Sequence, residues 1–205
     1  TIGLELVFAS ANAVISPVLT YGLLIFFEKL FNITTDLTLL ELSNFDRPLL
    51  RDLAQKAPGT FNHSMIMGTI AESAAEKIGA NTLLARVGAY YHDIGKLISP
   101  RNFVENQLSE ENIHEDVPPE ESVEIIKKHV EEGIKLGQQS NLPNEIIDFI
   151  PMHHGTMVMK YFYEKAREKY EDNVDIEEFR YNGPRPNSKE TAIVMLADGC
   201  ESAVR

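Results

Sequence analysis

The stretch Arg86-Val-Gly-Ala-Tyr-Tyr-His-Asp-Ile-Gly-Lys96 restricts the fold more than any other part of this chain. Leu84, Val87, Tyr91, Ile94 and Ile98 recur three and four residues apart, which is the pattern of a helix with one apolar face. The spacing predicts a helix through this stretch, with His92 and Asp93 adjacent on it and Lys96 one turn past the histidine. Adjacent side chains on a helix diverge by about 100°. They meet only at a point lying between them, and only if something there, such as a metal ion, is shared. A neutral imidazole and a carboxylate suit Zn, Mn or Fe. An isolated His-Asp pair is usually a surface pair. This one has company.

Five of the six histidines, His63, His92, His129, His153 and His154, fall on four separate predicted helices or helix ends. His63 follows the turn Ala57-Pro-Gly-Thr-Phe-Asn62, in the first turn of a helix whose Gly68, Ala71, Ser73, Ala74 and Ala75 allow close packing. Gly79 closes that helix in a left-handed conformation, and Thr82 opens the next. His129 lies beside the apolar stripe Val123, Ile126, Val130, Ile134 and Leu136 on a helix from Pro119 to about Gln139. His153 and His154 end the segment that carries Ile146, Ile147 and Ile150. Met157 to Tyr170 is predicted helical, and a last helix over Lys189 to Arg205 carries Asp198. His114, in an acidic stretch, is read as solvated and left out of the group. Any one of these histidines has a structural explanation. Several together in a helical core do not, because buried lone pairs need partners. A metal cluster supplies them.

A chain of 205 residues is one domain of ordinary size with a real core. Its net charge of −12 argues against DNA or RNA as partners, since backbone binding needs a basic surface. An acidic protein that handles phosphates must gather positive charge locally, from metals or from a few Arg and Lys. Cys200 is the only cysteine, so no disulfide framework exists, and it is expected to be a small packed residue. No strand alternation and no repeat is found, and the expected class is all-α. From Leu6 to Phe27 no residue is charged. As a helix this run would be roughly 33 Å long, against a bilayer core of about 30 Å, so it is expected to span or line a membrane. Phe31 to Asp36 is a polar connector, and Pro48 fits the first turn of a docking helix.

The pattern His63…His92-Asp93…His129…His153-His154…Asp198 resembles the two-metal branch of the HD-domain metal-dependent phosphohydrolases. The blocks Leu39-Leu-Glu-Leu, Pro48-Leu-Leu, Ala57-Pro-Gly-Thr-Phe-Asn-His-Ser, Phe103-Val-Glu-Asn-Gln, His153-His-Gly-Thr and Phe179-Arg-Tyr-Asn-Gly-Pro-Arg-Pro are similar to the PgpH-type seven-transmembrane HD family. These are bacterial cyclic di-AMP phosphodiesterases. The resemblance implies an HD-domain helical bundle, divided as an apolar helix (1–30), a linker and docking helix (31–56) and the phosphohydrolase domain (57–205). It implies two divalent transition-metal ions, Fe or Mn, with His63, His92, Asp93 and Asp198 on one, His129, His153 and His154 on the other, and Asp93 bridging. It implies hydrolysis of c-di-AMP to linear pApA by a metal-activated hydroxide. Lys96 would neutralise phosphate charge, and Arg180, Tyr181 and Arg185 would contact a second phosphate or stack on a purine. It also implies attachment to the cell membrane with the HD domain on the cytoplasmic side, and it leaves a homodimer open. The related HD-GYP group carries a Gly-Tyr-Pro motif that does not follow His153-His154-Gly155-Thr156 here. The non-enzymatic alternative is a cyclic-dinucleotide-binding signalling module, which an intact ligand set disfavours.

Overall fold

The computed structural model describes residues 2–31, 33–107, 112–171 and 174–204. Thr1, Asn32 of the expected connector, Leu108–Glu111 of the expected acidic stretch, Asp172, Asn173 and Arg205 of the expected last helix lie outside the described residues.

The chain divides into two units, Thr1–Asp36 and Leu37–Arg205. The first is a single helix, α1 (Ile2–Phe31), which contains Pro17. Within the apolar run Ser16 Oγ–H donates to Asn12 Oδ1 at 2.7 Å. Phe8, Val14, Val18 and Phe26 are exposed along its length. The helix is long and apolar enough to cross a membrane.

The second unit is built from helices, as expected. They are α2 (Asp36–Leu42, beginning at the boundary), α3 (Pro48–Lys56), α4 (Pro58–Ile78), α5 (Thr82–Tyr91), α6 (Pro119–Gln139), α7 (Asn144–Ile147), α8 (Phe149–Met152), α9 (Lys160–Tyr170) and α10 (Lys189–Val204). Short 3-10 turns cover Ile94–Ile98, Pro100–Asn102, Val104–Asn106 and Ile176–Phe179. Among the described residues the β structure is one isolated antiparallel bridge, Val158 to Arg180. Leu39, Leu42 and Leu50 of α2 and α3 pack with Val87, Tyr91, Ile94, Ile146 and Ile150, so these leucines are core. Ala71 and Ala75 on α4 face Ala85 and Ala89 on α5, with Phe149, Val194 and Ala197 closing the cluster. The small side chains bring α4, α5 and α10 close together, and this sets His63 and Asp198 beside the end of α5. A third cluster, Val123, Phe162, Ala166 and Phe179, fastens α9 to α6.

Four local expectations are corrected. The helix carrying the His-Asp pair stops at Tyr91, and His92 and Asp93 form a turn before the 3-10 segment. The reason is tertiary. The backbone at Gly95 is pressed against α6, and Asp93 adopts φ −110 and ψ 15. Ile94 stays buried, but Ile98 is exposed, so the apolar period ends there. α4 begins at Pro58, which places His63 in its second turn, not its first. His114 is buried, not solvated: its Nε2 lies 2.9 Å from the Asn102 carbonyl and its ring meets Phe162 edge-on. Cys200 is exposed, because Ala197 and Asp198 take the inward face of α10 at this level.

Candidate metal centre

Five elements deliver the side chains. His63 comes from α4, His92 and Asp93 from the turn after α5, His129 from α6, and His153 and His154 from the end of α8. Asp198 and Glu201 come from α10. The sequence-predicted ligands gather into two clusters, His63-His92-Asp93 and His129-His153-His154. Asp93 joins them. Its Oδ2 lies 3.2 Å from His92 Nε2 and 3.8 Å from His63 Nε2, and its Oδ1 lies 3.5 Å from His129 Nε2 and 3.6 Å from His153 Nε2. Asp198 reaches both groups, with Oδ1 3.2 Å from His63 Nε2 and Oδ2 3.8 Å from His154 Nδ1.

The outward nitrogens are fixed by backbone carbonyls. Nδ1 of His92 lies 2.7 Å from the Ala89 carbonyl, that of His129 2.6 Å from Ile126, and that of His153 2.7 Å from Ile150. Each contact is a donation from Nδ1–H, which leaves Nε2 as a lone pair pointing inward. Nε2 of His63 and Nε2 of His92 lie 3.3 Å apart. Among the described residues, Asp93 Oδ1, His129 Nε2 and His153 Nε2 are buried with no hydrogen-bond partner. Buried acceptors turned on one another are costly unless a cation sits among them. The donor set therefore fits divalent metal.

The electrostatics of the His129-His153-His154 cluster agree. Burial holds His129 below its usual range, His154 well below it, and His153 down to about 3, so these three stay neutral at pH 7. Burial also opposes charge on Asp93, but the Lys96 ammonium 2.7 Å from Oδ2, and after it His92, hold the carboxyl well below the usual range. In His92 burial is likewise outweighed, by the Asp93 carboxylate, and its pKa rises.

Of the residues expected at the substrate, Tyr181 stacks on His154, with ring centroids 4.0 Å apart and planes at 20°. Arg180 donates from Nη1 to the Thr156 carbonyl at 2.8 Å and from Nε and Nη2 to Glu177. Arg185 is exposed on the same loop. Two acids enter that the sequence reading did not single out. Glu201 Oε2 lies 2.9 Å from His63 Nδ1, the arrangement by which a carboxylate orients a metal-binding imidazole. Glu105 Oε1 lies 2.8 Å from Lys96 Nζ. Glu201 had a signal, since it stands three residues after Asp198 on one helix.

Residues 60–203 match the family described as HD domain. The chain belongs to the HD-domain family. This HD domain is 46% identical over 204 residues to the cyclic-di-AMP phosphodiesterase PgpH of Bacillus subtilis, an alignment that covers all of this chain and 29% of that protein. It is also 46% identical over 190 residues to the PgpH of Listeria monocytogenes, covering 92% of this chain and 26% of that one. The chain thus spans less than a third of the length of these curated relatives. Among solved structures, the HD domain of L. monocytogenes phosphodiesterase PgpH in complex with cyclic-di-AMP matches with a TM-score of 0.76 at 47% identity. That match covers 80% of this chain and 76% of the other.

Metal binding is expected to show as stability. At about 100 times its Kd, a cation that binds only the folded state adds about 2.7 kcal/mol. For a chain of this size that raises Tm by roughly 5–10 °C. Calorimetry with Mn2+ and then with excess chelator checks this, and an unchanged Tm in both would contradict a metal-binding centre.

Proposed function

We propose that this chain is a metal-dependent phosphodiesterase that hydrolyses c-di-AMP to linear pApA. The observation that carries the reading is the placement of Asp93, one carboxylate oxygen turned to each of two histidine clusters. His63, His92, Asp93 and Asp198 would hold one cation, and His129, His153 and His154 the other. Bound there, divalent cations supply positive charge for the phosphoryl oxygens and lower the pKa of water enough to yield a nucleophile near pH 7. A donor set of imidazoles and two carboxylates favours Fe or Mn over Mg.

The protein's own groups do the rest. Asp93 and Asp198 provide anionic charge in a site from which burial excludes most water. Lys96, held against Asp93, fixes the orientation of the shared carboxylate. The face of Tyr181 away from His154 is suited to stack a purine, and Arg185 on the same loop to meet a second phosphate. Arg180 would have to leave Glu177 and Thr156 to reach a ligand, so its role is to hold that loop. Adenine as the base is taken from the relatives.

The test is anaerobic incubation of Mn- or Fe-loaded protein with c-di-AMP and, separately, c-di-GMP, with products resolved by chromatography. Release of pApA is expected from c-di-AMP. Tight binding without product under either metal would overturn the enzymatic reading in favour of a signalling module.

The division into an apolar helix (1–30), a linker with docking helix (31–56) and the HD domain (57–205) is proposed with a placement. α1 lies in the cell membrane and the HD unit on its cytoplasmic side. A chain lacking residues 1–36 is expected to fold, to keep its metal-dependent Tm gain and to lose partition into vesicles. Retained partition would contradict the anchoring role.

A further inference from the structure

Glu105 is a largely covered carboxylate for which the reaction above has no use. It stands in the 3-10 turn Val104–Asn106, and its Oε1 meets Lys96 Nζ at 2.8 Å and accepts from the Thr60 hydroxyl at 3.1 Å. The same Nζ lies 2.7 Å from Asp93 Oδ2. One ammonium is therefore held between two carboxylates, one of them shared by the metal clusters. The side chains of Lys96 and Glu105 are only 13% and 11% exposed, so water screens the triad little.

The joint is tightly built. The Thr60 amide donates to Asn106 Oδ1 at 3.1 Å, and Asn106 Nδ2 donates back to Thr60 Oγ1 at 2.8 Å. Gly59 passes so close that a Cβ there would stand 1.8 Å from the Glu105 carbonyl oxygen. Lys96 Nζ also sits 4.9 Å from the centre of the Phe103 ring, whose edge meets His129.

We propose that Glu105 is a positioning residue for the metal centre, acting through Lys96 on Asp93. Lys96 engages Oδ2, the oxygen that faces His63 and His92, and not Oδ1, which faces His129 and His153. An ammonium on that oxygen competes with a cation for its charge. A second carboxylate on the ammonium divides its pull and returns charge to Oδ2. Without the charge of Glu105, Lys96 draws on Asp93 alone, and the loss falls on the His63-His92 side. The inference rests on the two-cluster reading of the centre and not on the identity of the substrate.

The experiment is Mn2+ titration of the full chain without substrate, by calorimetry and by electron paramagnetic resonance of free ion. Glu105→Gln keeps the shape and removes the charge. It is expected to weaken one of the two sites by about 10–100-fold, with the other changed less than about threefold. Thr60→Val removes only the hydroxyl and is expected to lower Tm with both affinities retained. In a Lys96→Gln background, Glu105→Gln is expected to add no further loss, because the path is gone. Equal weakening of both sites, no weakening, or a full effect in the Lys96→Gln background would overturn the proposal. If Glu105→Gln fails to fold, Glu105→Asp withdraws the charge by one methylene, and unchanged affinity there overturns it as well. A parent chain that takes up no Mn2+ overturns this and the two-metal reading together, whereas Mn2+ uptake with no pApA release leaves only the substrate reading wrong.

Discussion

Asp93→Asn is expected to lower hydrolysis of c-di-AMP by about 10³-fold or more, and the protein is expected to remain folded. Loss of a single preorganised group of this kind costs about 10²–10³-fold elsewhere, and Asp93 serves two clusters at once. An amide has nearly the shape of the carboxylate, so the turn after α5 need not move. It cannot, however, offer an anionic oxygen to His63 and His92 on one side and to His129 and His153 on the other. Lys96 loses one of its two anions but keeps Glu105 at 2.8 Å, so no cation is left unpaired in the interior. The variant should therefore carry fewer than two metals after gel filtration and release no detectable pApA. His154→Ala is the contrasting case. His154 sits at the edge of one cluster, its side chain 16% exposed, and its loss should leave the His63-His92-Asp93 group able to take one ion. Parent-like turnover by Asp93→Asn would sink the mechanism outright.

Much of this site was legible because of what a helical core tolerates. His129 and His153 lie on apolar segments where an imidazole has no structural purpose, and each turns out to point a bare lone pair inward. Helix starts were readable from local chemistry at Pro48 and Pro119, the heads of α3 and α6, though not at Pro58, and the left-handed Gly79 closes α4 as expected. The break at His92 was not. Ile94 and Ile98 keep the helical period, and what ends the helix is contact with α6, which no local pattern encodes. The partner of Lys96 was hidden for a similar reason. Glu105 is nine residues on, beyond any helical spacing, and Thr60, which holds it, is forty-five residues away. His114 shows the limit from the other side, since polar neighbours in sequence said nothing about burial under Phe162.

The contact that breaks the helix makes Gly95→Ala the other large expected effect. A Cβ on Gly95 would stand 1.8 Å from the His129 carbonyl oxygen, 2.7 Å from its carbon and 2.6 Å from the Gly133 nitrogen. All three are backbone atoms of α6, so no side-chain rotation relieves the clash. The turn must lift away or α6 must shift. Overpacking in a core costs about 1–3 kcal/mol when side chains can yield. Here they cannot, and about 3–5 kcal/mol is expected, or a fall in Tm of roughly 6–20 °C. Gly137→Ala on the same helix is the control. Its new Cβ meets only side chains, Ile147 Cγ1 at 3.1 Å and Leu142 Cδ1 at 3.6 Å, and alanine in a helix regains about 0.5–1 kcal/mol over glycine. Stability alone does not distinguish a damaged core from a damaged site, so the measurement is thermal unfolding with Mn2+ and with chelator. In Gly137→Ala the metal-dependent gain in Tm should persist. In Gly95→Ala it should vanish, because either movement separates Asp93 Oδ1 from His129 Nε2, 3.5 Å apart across this contact. A full gain in Gly95→Ala would mean that the two clusters do not depend on the seam between the turn and α6.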